Sequence, residues 1–489
     1  MKKWLFLDCE QMDDVYSFVY REMSEALKLN GQSSVLVKLW TKGEMLWESK
    51  LFDVIKQHDP DFIVWTGGDG WEYFDVLKKH RSSKINLWYD DPIQRLTLRP
   101  KVVNAMAESG NHDFTIMVWD RYWGEMLNKM IGVNWRETEL ASDPKVYFTA
   151  KRRLSDEAVF IGALQSPNWI YNEINRMPGM FRVFMEKCRE VLNHSTNILS
   201  WDQVMQAAEA IMGAGDLNIF SQQSKGDPAS LRHSQAILWA MSKNEARVKL
   251  LKEAIKVTPV LIFAETGQRN HANAYELQGM IGEWDSSKLR IIDTSKTAGD
   301  CLGQLYHYGK IHLQAVDPQS VYGGIPYRMY QTAASGRPIF TDVRKDWSKS
   351  FPDDQRIRFN FADNIADQLS DALKRADLEE MGMASRSNFE KNHTWQKRMT
   401  QLEYACGDTA LNTAFHKVAQ DPQNKIAHTP ITLDSVNDFN GLAEKLKSDL
   451  KEVTGEARSK SPQEIMADAI KKIDLSVDNN YKAPALPVK

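Results

Sequence analysis

The stretch GKIHLQAVDPQSVYGGIPYRMYQTAASGRPIFTD, residues 309–342, decides how the rest of the chain is read. Lys310 to Leu313 is an apolar run that predicts a strand. A loop with Gly323-Gly324 follows. Ile325-Pro326 then opens a helix, since proline is tolerated in a first turn. Small residues from Thr332 to Ser335 line that helix, Gly336 ends it, and Pro338 to Thr341 predicts the next strand. Glycines let a backbone approach a ligand closely. A helix start offers unpaired N–H groups and a partial positive charge, which suits a pyrophosphate. Arg328 adds a guanidinium that can grip phosphate with two hydrogen bonds. An ordinary helix packed on a sheet reads the same way locally, so these residues alone leave both readings open.

Working outward, the chain alternates between short apolar runs and helical periods. Trp4 to Leu7 predicts a strand, and Val15, Phe18, Val19, Met23, Ala26 and Leu27 recur at helical spacing. Asp13 or Asp14 suits the cap of that helix and Gly31 its end. Strands are predicted at Val35 to Val37, Phe62 to Trp65, Ile85 to Tyr89 and Phe114 to Val118. Each is followed by polar or glycine residues, where open α/β sheets bind ligands. Residues 140–157 carry no period and read as a linker. Further strands are predicted at Ala158 to Ile161, Val260 to Phe263 and Leu289 to Ile292. Residues 221–230 read as an exposed loop within a helical region. The fold class is therefore α/β in two domains. The first spans 1–150. The second spans 151–388, with a helical insertion near 196–250. A return segment covers 389–408, and a lysine- and glutamate-rich helical extension covers 409–489.

The bulk numbers fit this division. At 489 residues the chain exceeds one hydrophobic core. A formal charge of −3 excludes a surface that is basic throughout. Cys9, Cys188, Cys301 and Cys406 lie far apart with no CxxC pair, which points to a reducing, cytoplasmic setting without a zinc site. The apolar run after Lys2-Lys3 stops at Asp8, too short for a signal peptide, and no run approaches a membrane span.

The chain resembles the spore-maturation-protein-like glycosyltransferases, a branch of the glycosyltransferase-B fold related to family-four enzymes. Arg328, Met329-Tyr330, Gln331, TAASG and PIFTD follow that family's pattern of arginine, two residues, an acid, small residues, glycine and a strand ending in Thr-Asp. LYHYGKIHLQ at 305–314, NHTWQKRMTQL at 392–402, DEAVFIGAL at 156–164, DPDFIVWTGGDG at 59–70 and NLWYDDP at 86–92 match further landmarks in order. The resemblance covers about residues 1–405, apart from the helical region 196–250. It extends the α/β reading to two doubly wound domains facing a cleft. It implies transfer of a sugar from a nucleoside diphosphate, UDP being favoured, to an acceptor hydroxyl, with retention weakly preferred. It implies no metal and no cofactor beyond the donor. The family's glutamate, expected to hold the donor ribose, is Gln331 here, and the earlier acidic position falls on Gly323. Glutamine accepts a hydrogen bond but carries no charge, which leaves a non-catalytic nucleotide-sugar-binding protein as a second reading.

Other residues join the candidate site. Gly323, Gly324, Arg328, Gln331, Arg269, Lys310 and Glu265 form the donor set. Gly67, Gly68 and Asp14 form an acceptor-side loop. Asp69, Asp90 and Asp13 are the candidates for the base that deprotonates an acceptor hydroxyl. Turn and cap roles explain these residues as well, Asp91 before Pro92 above all. His393 reads as a support for the closing helix. The acceptor is left open among glycan, protein, small molecule and modified DNA; Lys151, Arg152 and Arg153 would suit the last. An epimerase on the same fold is a further alternative.

Overall fold

The computed structural model describes residues 1–8, 15–41, 44–89, 100–148, 154–177, 179–194, 228–266, 270–295, 302–317, 320, 323–342 and 350–407. Asp13, Asp14, Asp90, Asp91, Arg269, Lys151 to Arg153 and the extension 409–489 lie outside them.

The N-terminal domain is a six-stranded parallel sheet in the order β2-β1-β5-β6-β7-β8. Its strands are β1 (Lys3–Asp8), β2 (Ser33–Lys38), β5 (Phe62–Thr66), β6 (Ser83–Trp88), β7 (Phe114–Val118) and β8 (Trp135–Glu137). A small antiparallel pair, β3 (Trp40–Thr41) and β4 (Glu44–Met45), stands beside it. Helices α1 (Val15–Leu29), α2 (Glu48–His58), α3 (Phe74–Leu77), α4 (Pro100–Glu108) and α5 (Arg121–Ile131) connect the strands. β5 is buried along its whole length and β1 is buried after Lys3. Parallel strands covered on both faces read as unbroken apolar runs, which is why these runs predicted strands correctly.

The second sheet runs β11-β10-β9-β12-β13-β14. Its strands are β9 (Ala158–Ile161), β10 (Val260–Ala264), β11 (Leu289–Asp293), β12 (Ile311–Gln314), β13 (Ile339–Asp342) and β14 (Ile357–Phe359). Numbered within the domain this is 3-2-1-4-5-6, the doubly wound dinucleotide-binding order, whose switch point falls between β9 and β12. Its helices are α6 (Pro167–Asn175), α7 (Gly179–His194), α8 (Pro228–Ala254), α9 (Ala274–Ile281), α10 (Leu302–Leu305), α11 (Tyr327–Ala334), α12 (Ile365–Lys374) and α13 (Leu378–Asn392). Gly336, with φ of +70°, ends α11 as expected. Helix α8 starts at Pro228, inside the segment expected to be a loop. β8, β14 and the β3–β4 pair were missed, because two or three residues give no readable period. Among the described residues no helix is long and apolar enough to cross a membrane.

The last helix, α14 (Trp395–Gly407), returns to the first domain and packs on α1. Gln32 donates to Glu403 at 2.8 Å and Arg136 donates to the Ala405 carbonyl. Ser142, leaving the first domain, and Thr394, re-entering it, pair as a parallel bridge. One apolar cluster runs across the junction, holding Tyr20 and Met23 of α1 with Met329 and Tyr330 of α11 and with Trp395 and Met399 of α14.

A carboxyl group sits inside this junction. Glu22 of α1 is 4% exposed and accepts from the Tyr327 hydroxyl at 2.5 Å and the Trp395 indole at 2.7 Å. Burial pushes its pKa up to about 8, against the smaller downward pull of those hydrogen bonds. Unfolded, the carboxyl loses its proton near 4.5. Between these values the folded chain holds one proton more than the unfolded chain. Stability from this group is therefore full below about pH 4.5 and falls as pH rises towards 8, by up to ~1.4 kcal/mol per unit. Glu22→Gln should remove that slope. Urea denaturation of both proteins between pH 5 and 8 tests this, and parallel curves would show that Glu22 is ionised in the fold.

Candidate active site

The switch point gathers positive charge. β9 ends at Gly162, where a Cβ would collide with the guanidinium of Arg328, so glycine makes the room that lets Arg328 reach the strand end. Opposite, α8 presents Trp239, Lys243 and Arg247 at intervals of four, one above another on a single face. The neighbouring Asn244 ties α8 to the loop after β9, accepting from the Gln165 N–H and donating to its carbonyl, both at 2.8 Å. Arg247 donates to the Ala163 carbonyl at 2.5 Å.

Asp317, after β12, is the carboxylate these groups face. Trp239 Nε1 donates to it at 2.6 Å, Lys243 Nζ lies at 3.9 Å and Arg247 at 4.0 Å. Lys243 also lies 4.4 Å from the Trp239 ring centroid. Two basic side chains and an indole N–H therefore face one carboxylate. Burial, then the charges of Arg247 and Arg328, push Lys243 down to about 7, with Asp317 opposing. Burial and then Arg328 bring Arg247 to about 10. His271 is lowered too, by burial first and then by Lys243. Burial first and mutual repulsion second lower these cations, and a bound anion would oppose both effects. The N-terminus of α11 adds its dipole on the same edge.

The glycine loop corrects the sequence reading. The N–H groups of Gly323 and Gly324 donate to Asp120 Oδ2, at 3.1 and 2.9 Å. Asp120 belongs to the other domain, at the end of β7, and is fully buried. Its Oδ1 caps α5 by accepting from Tyr122 N at 2.9 Å. A Cβ at Gly324 would lie 2.8 Å from Asp120 Cβ. In this arrangement the two N–H groups hold a protein carboxylate, not a phosphate. The glycine pair, expected to approach a pyrophosphate, is engaged instead by a side chain of the other domain.

Gln331 is likewise committed inside. Its Nε2 donates to the Tyr147 hydroxyl at 2.7 Å and its Oε1 accepts from the Tyr306 hydroxyl. The side chain is 7% exposed, so it is not presented to the cleft as a ribose ligand. Lys310 stands at the opposite edge of the sheet, before β12 begins, and donates to the Leu373 carbonyl at 2.8 Å. It is a support for the end of α12 and not a donor ligand. Glu265, after β10, lies on the ligand edge with its carboxylate 3.8 Å from His271.

In the first domain Gly67, with φ of +67°, makes the turn after β5. Gly68 precedes the short 3-10 helix Asp69–Tyr73. Asp69 Oδ2 accepts from the Trp40 indole at 3.3 Å. These three residues sit on the carboxyl edge of the sheet, as expected. Asp69 follows β5 and Asp120 follows β7, two strands or roughly 10 Å apart. His393 is the support it was read as. It lies 3.2 Å from Glu139, which also takes Arg398 at 2.9 Å and the Ser350 hydroxyl. Burial would raise the Glu139 pKa, but the His393 hydrogen bond, the Arg398 charge and the Ser350 hydrogen bond outweigh it and bring it to about 2.

Sequence reasoning missed Lys243, Arg247, Asp317 and Asp120. The row Trp239, Lys243, Arg247 was a readable signal: an aromatic and two cations sharing one helix face. Asp120 gave no signal beyond its place at a strand end.

The comparisons agree with this construction. Residues 247–404 match the family described as glycosyl transferase-like. A glycosyltransferase from Rickettsia africae superposes with TM-score 0.50 at 9% identity, covering 82% of this chain and 97% of its own. Sucrose-phosphate synthase from Thermosynechococcus elongatus superposes with TM-score 0.51 at 10% identity, covering 85% and 100%. No curated protein matches the sequence. The second domain thus carries a glycosyl transferase-like region, and the whole has the two-domain glycosyltransferase-B fold.

The Asp120 contact is testable alone. Asp120→Ala removes the acceptor of three N–H groups and should lower stability by about 2–4 kcal/mol. It should also speed hydrogen exchange at Gly323 and Gly324. Unchanged exchange would show that this contact does not hold the loop in solution.

Proposed function

We propose that the chain is a glycosyltransferase that moves a sugar from a nucleoside diphosphate sugar to an acceptor hydroxyl. The observation that carries this is the group of Lys243 and Arg247, which face the Asp317 carboxylate, with Arg328 close enough to lower both of them, at the switch point of a dinucleotide-binding sheet. The charge excess suits a diphosphate. As the glycosidic bond to the donor breaks, negative charge grows on the departing diphosphate, and fixed cations stabilise it without reorganisation. The same groups do what a divalent cation does in other transferases, so the reaction is proposed to be metal-independent. The uridine series comes first among donors, and retention at the transferred sugar is the outcome implied by the resemblance to family-four enzymes. The proposed setting is the cytoplasm.

A second reading has its own support. Gln331 is held by two tyrosines and offers no carboxylate, as fits a protein that binds nucleotide sugar without transferring it. Nucleotide binding without any transfer or donor hydrolysis would favour this reading.

Calorimetry with UDP, GDP, ADP, TDP and CMP tests the proposal. A diphosphate should bind, and Arg328→Ala or Lys243→Ala should weaken it by about tenfold or more. Affinity should also fall as pH rises through about 7, where Lys243 loses its proton in the free protein. Lys243→Ala should abolish that dependence. EDTA should leave binding and transfer unchanged. Failure of every nucleotide to bind at millimolar concentration would sink both readings.

A further inference from the structure

We infer that the cavity between β8, the glycine loop and α14 is the acceptor pocket, and that it takes a neutral, hydroxyl-rich group about the size of one sugar ring. The inference rests on the transferase reading above and extends it to a second substrate. The cavity encloses about 340 Å³, at the lower end of small-molecule sites.

Three segments far apart in sequence wall it, and each is locked. Gly323, on the second domain's side, is fixed by Asp120. Glu139, after β8, is fixed by Arg398 of α14 and by the Ser350 hydroxyl. Arg136 of β8 is tied to the Ala405 carbonyl of α14. A cavity whose walls are already pinned loses little freedom when it is filled.

The lining sets the chemistry of the guest. Arg136 and Arg398 are matched by Glu137 and Glu139, so the cavity has polar groups of both signs and no net charge. A phosphate or carboxylate gains nothing from such a balance, and a duplex backbone needs an excess of cations. Carboxylates accept from hydroxyls and guanidiniums donate to them, so the pair reads a polyol. Met117, Ile325 and Leu402 supply apolar wall for the C–H face of a ring.

Position agrees with chemistry. Gly323 lines the cavity and Arg328, five residues on, belongs to the cationic cluster. Five residues span at most about 17 Å, which bounds the separation of the Arg328 backbone from the cavity wall; on the proposed reading the transferred sugar and a hydroxyl of the guest meet beside the glycine loop.

Saturation-transfer NMR on the full chain, saturated with UDP, tests this with the methyl glycosides of glucose, mannose and galactose. At least one should bind the wild type, and methyl glucuronide, the same ring with a charge, should bind more weakly. Ala405→Phe fills the cavity and should abolish glycoside binding while UDP affinity stays within about twofold. Gln401→Ala, a milder change in the same wall, should weaken glycoside binding and covers the case in which the larger side chain upsets folding. Glycoside binding that survives both substitutions, or its absence in a wild type that binds UDP, overturns the inference. A wild type that fails to bind UDP refutes the donor reading itself, a separate and distinguishable outcome.

Discussion

The contact between the Asp120 carboxylate and the N–H groups of Gly323 and Gly324 joins the two sheets at their ligand edges. One oxygen caps α5 of the first domain and the other holds the loop that starts α11 of the second. A buried carboxylate needs hydrogen-bond donors, and the N–H groups of Tyr122, Gly323 and Gly324 supply them. Because the loop is fixed, the start of α11 is fixed, and with it the reach of Arg328 towards Gly162. The wall of the neighbouring cavity is fixed by the same contact. Cationic cluster, glycine loop and cavity are therefore parts of one assembly, built across the domain boundary.

Charge is distributed unevenly over that assembly. On one side of the loop cations outnumber acids, and Lys243 is held near neutrality by burial and by its neighbours. On the other side Glu139 is paired so thoroughly that it stays ionised down to about pH 2. The first environment is unfinished without an anion, while the second is already balanced. On the proposed reading, this difference in charge is what distinguishes the diphosphate end of the cleft from the end that would take a neutral sugar.

The fold was legible because buried parallel strands write themselves as apolar runs. Phe114 to Val118 and Ala158 to Ile161 were located to the residue. β8 and β14 were not, since three residues on the flank of a sheet carry no period. The site was legible in part. Arg328, singled out from the helix start, stands beside the end of β9 at the switch point. Lys310 was misplaced because a strand's first and last residues look alike until its direction in the sheet is known. Gln331 and the glycine pair were recognised as polar and special, but their partners, Tyr147, Tyr306 and Asp120, lie 184, 25 and roughly 200 residues away in sequence. Pairings of that range are invisible to any local pattern.

The chain crosses between the domains at Ser142 and again at Thr394, and these two crossings lie side by side as paired backbone. Two adjacent threads act as a hinge pin: they permit rotation about the line through them and resist twist or separation. The cavity and the cationic cluster both lie at edges that such a rotation would draw apart or bring together. The Asp120 contact, lying away from that line, is then the bond that any such rotation would have to stretch first.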